Sequence, residues 1–278
     1  MQRSEEIKGK RVIMTKIGFI GAGNMGGAIM KGILGSDIED VEISAFDTDN
    51  AKLAELEKVG VKKCGTAGEV CGCDIVFLAV KPQVFEDVLV SFRDSVKEDT
   101  VYVSIAAGIT ADFIRKTLGK PQLKVVLVMP NTPLLLGEGA TAIGQSENVP
   151  EEKFRLICSI FEQCGKAFVI PESKMKEVIA VNSSSPAFIY LFAKGFIEYG
   201  ISQGFDENTA KELFSQALIG SAKMITDSGY SVDELIKMVS SPGGTTLAGL
   251  DKLYAGELVK VVNNACDACT KRAYELSK

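Results

Sequence analysis

The sequence predicts an α/β half built on a doubly wound, mostly parallel sheet, followed by an all-α half. Two observations predict it. From Lys16 to about Ile170, short β-branched runs alternate with helical patterns, as parallel strands joined by crossover helices do. After Pro171 the strand signals stop and the remaining residues read as helices.

In chain order the expected strands are "KIGFIG", "VEISAF", "DIVFLAV", "TVYVSIA" and "KVVLVM", followed by "ATAIG" and "KAFVI". Their near-continuous hydrophobicity implies that both faces of the sheet are covered. Residues 1–15 stand before the first strand and are expected to be an arm, or to precede a start at Met14. The first domain is placed at 16–171 and the second at 172–278, with Pro171 to Ser173 as a short join rather than a flexible linker. In the second, one long apolar helical segment runs from about Ser173 to Gly204. Asp206, Ser231 and Ser241 stand where N-caps belong, and Gly204 and Gly229 where helices end. So many apolar helix faces exceed what one protomer can cover, which predicts a dimer; a self-contained bundle is the alternative.

The composition narrows the partners. In 278 residues, 46% are hydrophobic and 24% charged, and the net charge of −5 comes without a basic run. That balance argues against nucleic acid and against an anionic membrane surface, leaving a small molecule as the default partner. The most apolar stretch, "AFIYLFAKGFIEYG", is interrupted by Lys194 and Glu198 and falls short of the roughly 20 residues a membrane span needs. The charged N-terminus lacks the apolar core of a secretory signal, so a cytoplasmic protein is expected. Seven cysteines without framework spacing fit a reducing compartment. With no histidine in the chain, "CGC" at 71–73 and "CDAC" at 266–269 read as small buried side chains before they read as metal or redox sites.

Between the first strand and the first helix, "GAGNMG" sets Gly21, Gly23 and Gly26 in G-x-G-x-x-G order around Ala22, Asn24 and Met25. The first glycine permits a tight turn, the second lets a pyrophosphate approach the backbone, and the third lets the helix pack closely. In this strand-to-helix context the pattern predicts a Rossmann-like domain that binds a dinucleotide. Asp47 closes the second strand, where a carboxylate accepts hydrogen bonds from an adenosine ribose and repels a 2′-phosphate. No arginine follows it, although Lys52 lies one helical turn on, so NADH is favoured over NADPH. A helix N-cap is the other role open to Asp47. The nicotinamide belongs at the carboxyl ends of the middle strands, which read Ala79-Val80-Lys81-Pro82, Ala106-Ala107-Gly108 and Pro130-Asn131-Thr132-Pro133. Small residues there leave room for a ring, Asn131 could support a polar group, and Lys81 is either a site cation or a solvated lysine ahead of Pro82.

Hydride transfer at an alcohol carbon needs an acid or base at the oxygen, commonly His, Lys or Tyr. A protonated imine is already electrophilic, so it asks for orientation and an anion anchor instead. "SSPGGTT" offers both. Glycine N–H groups at a helix start, Gly243 and Gly244, could hold a carboxylate beside Ser241, while a hydroxyl of Thr245 or Thr246 bonds a ring nitrogen. The alternative is an ordinary Pro-Gly turn with a threonine cap.

In this order, "GFIGAGNMGGAI", "LAVKPQ", "VSIAAGIT", "MPNTP", "SSPAF" and "SSPGGTT" resemble the pyrroline-5-carboxylate reductase family, from Lys16 nearly to the C-terminus. The resemblance implies NAD(P)H-dependent reduction of a cyclic imino acid to proline. It implies that Ala79 to Pro82 and Ala106-Ala107 border the nicotinamide, and that Ser241 to Thr246 hold the substrate carboxylate with Thr246 facing the imine nitrogen. Thr246 and Lys81 become the catalytic candidates. It also implies a dimer interlocked through the helical domains, assembled further into rings such as a decamer, with each site shared between protomers. Two stretches depart from the family's pattern: Asn182-Ser183-Ser184-Ser185 stands where glycines are common, and Asp47-Thr48 where many members carry an arginine. The rivals are another imine or β-hydroxyacid dehydrogenase on the same fold, or a non-catalytic cofactor-binding relative.

Overall fold

The structure is a computed structural model that describes residues 14–146 and 148–277. Of the arm placed at 1–15, all but its last two residues lie outside the described residues. The described chain forms two compact units, 14–183 with 270–277, and 184–269. The change in sequence pattern at Pro171 and the division into units fall at different places, because residues 172–183 and the C-terminal segment pack with the sheet.

The first unit begins with β1 (Thr15–Ile20), α1 (Asn24–Leu34), β2 (Val41–Phe46), α2 (Asn50–Glu57), β3 (Lys62–Lys63), α3 (Ala67–Val70) and β4 (Ile75–Leu78). It continues with α4 (Phe85–Phe92), β5 (Val101–Ser104), α5 (Ala111–Leu118), β6 (Lys124–Met129), β7 (Gly139–Gln145), α6 (Glu151–Glu162) and β8 (Gly165–Pro171). The sheet order is β3-β2-β1-β4-β5-β6-β7-β8, parallel throughout except between β6 and β7. All seven expected strands are present. The eighth, β3, is a two-lysine strand paired to the outer side of β2, and it carries no apolar signal.

Both faces of the sheet are covered, as the strand composition requires. In β4, Ile75 and Phe77 enter one core layer with Ile17, Phe19, Ile29 and Phe161, while Val76 and Leu78 enter the other with Phe85, Phe92, Tyr102 and Ile114. Phe19 stacks on Phe77 with ring centroids 4.6 Å apart. Each such side chain contributes about 1.5–3 kcal/mol by leaving water. The strand order reverses between β1 and β4, and that reversal opens the crevice at their carboxyl ends.

The segment expected as one helix from Ser173 to Gly204 is broken. A 3₁₀ turn at Glu172–Lys174 and a π-helical turn at Ile179–Ser183 precede α7 (Ser185–Ser202). The break follows from long-range hydrogen bonds at Asn182, which no local pattern reports.

The second unit contains α7, α8 (Glu207–Asp227), α9 (Val232–Met238), α10 (Thr245–Ala255) and most of α11 (Leu258–Leu276), whose last turns belong to the first unit. Asp206 caps α8 and Ser231 closes a full capping box on α9, as expected. Gly204 and Gly229 have positive φ past the ends of α7 and α8. Ser241 is not a cap: α10 is capped by Gly244, because the turn before it ends there. Of the described residues in this unit only Pro186 and Ala210 are buried. Tyr190, Leu191, Tyr199, Leu213 and Val259 are each more than 60% exposed, which a self-contained bundle would not leave in water.

Candidate active site

Two of the three glycines of the first loop are held to glycine by the fold, and the third by nothing in the protein. Gly21 has φ +105°, and a Cβ there would stand 2.5 Å from the Ala79 carbonyl oxygen. At Gly26 a Cβ would come within 2.6 Å of the Gly21 carbonyl oxygen, so the helix packs against its own loop and Ala79. Around Gly23 no heavy atom of the protein lies within 4 Å of where a Cβ would be. That open position heads α1, whose first-turn N–H groups have no partner inside the helix. Asn24 and Met25 supply two of them. The cradle fits a pyrophosphate.

Asp47 fixes this loop. Its Oδ2 accepts the Ala22 N–H at 2.6 Å and its Oδ1 the Asp49 N–H at 2.8 Å. The N-cap reading of Asp47 is corrected, since Asp49 caps α2 by accepting from the Ala51 N–H. Lys52 pairs with Asp49 at 3.3 Å. Beside the loop runs a groove of about 570 Å³ whose walls include Gly23, Asn24, Lys31 and Lys52.

At the strand ends, Ala79 and Val80 are half-buried and Lys81 is exposed just before the 3₁₀ turn opened by Pro82. Ala106 is buried and Ala107 exposed. Asn131 is buried and its amide is engaged within the fold: it donates to the Asn182 carbonyl oxygen at 3.1 Å and accepts the Ala140 N–H at 2.9 Å. Its amide thus ties the end of β6 to the start of β7 and to the chain at Asn182. A cavity of about 370 Å³ at the ends of β5 and β6 is lined by Ser104, Ala106, Thr110, Met129, Glu172 and Tyr274 among others. Burial raises the Glu172 carboxyl above its ordinary range. The Tyr274 hydroxyl donates to Glu177 at 2.9 Å, and the Lys176 ammonium lies 4.5 Å over the Tyr274 ring. Sequence alone does not join these residues, because the cavity draws on segments near 104–110, 127–129, 172–176 and 274.

In the second unit, Ser241-Pro242-Gly243-Gly244 is a tight turn closed by a Gly244 N–H to Ser241 O hydrogen bond of 2.9 Å. Proline second and a glycine of φ +71° third make it type II. Thr245 and Thr246 are the first two residues of α10, both exposed. Neither threonine is the cap. The positive φ is at Gly243 rather than Gly244, but a Cβ on Gly244 would meet Ser241 Oγ at 2.8 Å and Ser241 O at 3.0 Å. Both Gly243→Ala and Gly244→Ala are thus expected to raise KM for an anionic substrate, Gly244→Ala by more because backbone stands in the way. Equal KM for Gly244→Ala and the unsubstituted protein would separate the turn from substrate binding.

Of the two cysteine pairs, Cys71 and Cys73 are buried as expected, whereas Cys266 and Cys269 are only half-buried. Cys64, Cys71, Cys73 and Cys164 are buried, and burial pushes the Cys71 thiol up to about 11. Among the described residues no group of cysteine and acidic side chains could hold a metal ion.

Comparison with known proteins decides the family. A family model described as pyrroline-5-carboxylate reductase dimerisation matches residues 172–276, and one described as NADP oxidoreductase, coenzyme F420-dependent, matches 16–108. The pyrroline-5-carboxylate reductase of Escherichia coli K12 is 35% identical over 266 residues, covering 95% of this chain and 98% of its own. The chain belongs to the pyrroline-5-carboxylate reductase family. Members are NAD(P)H-dependent oxidoreductases of proline biosynthesis that act on an imine, and this chain is one of them. Solved pyrroline-5-carboxylate reductases have the same fold. That of Coxiella burnetii is 32% identical with a TM-score of 0.86 over 95% of this chain and 99% of its own. The Plasmodium falciparum enzyme, solved with NADP bound, is 29% identical with a TM-score of 0.83 over 95% and 98%. The dimerisation match covers the helices whose apolar faces are exposed, so the chain self-associates.

Proposed function

We propose that the chain reduces 1-pyrroline-5-carboxylate to L-proline, with the glycine loop as cofactor cradle and the Ser241–Thr246 turn as substrate anchor. The observation that carries this assignment is the type II turn delivering two glycines and two threonines to the start of an eleven-residue helix. The Gly244 N–H closes the turn, so the carboxylate falls to the Gly243 N–H and the first-turn N–H groups at the positive end of α10. Thr246 Oγ1 holds the imine nitrogen in place. Ala79, Val80, Lys81, Pro82, Ala106 and Ala107 bound the nicotinamide. When bound, the dinucleotide supplies the hydride, and the imine enters already protonated. With no histidine in the chain, orientation carries the catalysis. Lys81, exposed beside Pro82, is the cation at the nicotinamide end of the site. The protein acts as a dimer, assembled further into rings, with each site completed by a second copy, as the resemblance implies. No described helix is long and apolar enough to cross a membrane, and the reaction belongs in the cytoplasm.

NADH is the favoured cofactor. Asp47 keeps a carboxylate at the end of β2, where a 2′-phosphate would be repelled. A specific observation supports the opposite preference: Lys31 and Lys52 line the groove beside Gly23, where they could receive that phosphate. Asp47→Ser separates the two readings. Because Asp47 also holds the Ala22 N–H, both cofactors should bind less well in the variant, but the NADH-to-NADPH ratio of kcat/KM should fall. A wild-type protein with far higher kcat/KM for NADPH would reverse the assignment and give the phosphate to the lysines.

Initial rates with pyrroline-5-carboxylate and each cofactor test the whole reading. Preferred turnover of acyclic imines or of a β-hydroxyacid would overturn it in favour of a related dehydrogenase, and cofactor binding without turnover in favour of a non-catalytic relative.

A further inference from the structure

We propose that Asn182 is a positioning residue which, clasped with Asn131, sets the end of β6 at the cofactor site. The side chain of Asn182 is buried, and its amide nitrogen donates to Met129 O at 2.7 Å and to Ala140 O at 3.2 Å. Asn131 returns the contact, donating to Asn182 O at 3.1 Å and accepting the Ala140 N–H at 2.9 Å. Four hydrogen bonds thus join three segments: the end of β6, the start of β7 and the π-helical turn at Ile179–Ser183.

The sheet explains why the clasp is there. The antiparallel register pairs Val128 with Ile143 and Met129 with Ala142. Continued by two residues, it sets Asn131 opposite Ala140, but Pro130 has no N–H to extend the ladder. The two amides satisfy the Ala140 N–H and the Met129 and Ala140 carbonyls at the point where the ladder stops. Buried backbone groups left unpaired are costly, so the strand end is held at one height. A π-turn is the wide, strained turn that such a tertiary anchor can impose on a helical segment.

Met129 also lines the cavity at the ends of β5 and β6, so the clasp holds one wall of it. It equally fixes where the chain leaves the first unit, since Ser183 is its last residue before α7. Neither asparagine is placed against substrate; their action is through Met129 and the residues following Asn131. The stretch Asn182-Ser183-Ser184-Ser185, set where the family commonly has glycines, acquires a role by this route.

The inference rests on the reading of the β4, β5 and β6 ends as the nicotinamide site. The test uses the full-length protein with Asn182→Ala, Asn131→Ala, the double variant and Asn131→Asp, which keeps shape and acceptor but loses the donor to Asn182 O. Kd for NADH and NADPH is read by nicotinamide fluorescence, beside kcat, KM and melting temperature. Each single alanine variant should raise cofactor Kd and lower kcat by about ten-fold or more at a temperature where it is fully folded, since small misplacements of reacting groups are costly. The double variant should be little worse than either single one, because both break one clasp. Asn131→Asp should fall between wild type and Asn131→Ala, and it stands in if an alanine variant does not fold. A lowered melting temperature with Kd and kcat unchanged would make the clasp a strut alone and overturn the proposal, as would additive effects in the double variant. Absence of imine turnover in the unsubstituted protein would count against the functional reading and leave the Kd comparison intact.

Discussion

Gly23→Val is expected to abolish NAD(P)H binding in a protein that still folds. The two outcomes separate because of where the new side chain goes. At Gly21 or Gly26 a Cβ collides with backbone at 2.5 or 2.6 Å, so substitutions there damage the fold and the site together. At Gly23 it meets no protein atom within 4 Å, and φ is −68°, which any residue adopts. Valine is therefore accommodated by the protein and excluded only by the ligand, standing where the pyrophosphate meets the first-turn N–H groups of α1. Fluorescence titration should show at least a hundred-fold rise in Kd, on the order of 3 kcal/mol, with an unchanged circular dichroism spectrum. An unaltered titration curve in the folded variant would remove the loop from the cofactor site.

The second large effect is expected at Thr246. Loss of a hydroxyl bonded to the reacting nitrogen should cost on the order of 1.5–3 kcal/mol of transition-state stabilisation, roughly ten- to a hundred-fold in kcat/KM. Thr246→Ala should show this with the imine while cofactor affinity stays nearly constant, because the threonine stands on α10 and the dinucleotide cradle on α1. Thr246→Ser should retain most activity. Thr245→Ala should do less harm, since successive residues of a helix point about 100° apart and cannot both face one small ring. Both threonines are exposed and neither caps the helix, so little stability is lost to confuse the reading. Full activity in Thr246→Ala with a dead Thr245→Ala would reverse their roles. Full activity in both would reduce the turn to a turn.

What could be read in advance was what acts locally. Gly21 and Gly26 are constrained by atoms a few residues away or by the chain beyond the neighbouring strand, and their spacing, with Gly23 between them, declares the loop. Asp206 and Ser231 likewise cap the helices they precede. The clasp at Asn131 is not legible in sequence because its partners lie 9 and 51 residues along the chain. Its position at a strand end in a proline-rich turn was visible; its burial was not. For the same reason the apolar run after Ser173 read as one helix, when bonds from Asn182 to two strands open a π-turn within it. Asp47 was half legible: the strand end predicted the carboxylate, while its grip on the Ala22 N–H needed the fold.

The helices from Ser185 to Cys269 bury two side chains of their own, so their hold on the native state comes from molecules rather than from a molecule. By mass action, an assembly that exists only as an oligomer has a free energy of folding that includes the logarithm of its own concentration. The first unit has a core on both faces of its sheet and so leans less on such a partner. Dilution therefore does not weaken the protein evenly: it loosens the half that carries Ser241 to Thr246 and spares the half that carries the glycine loop. On the proposed assignment of the two sites, a scarce protein of this design would keep its cofactor and lose its substrate.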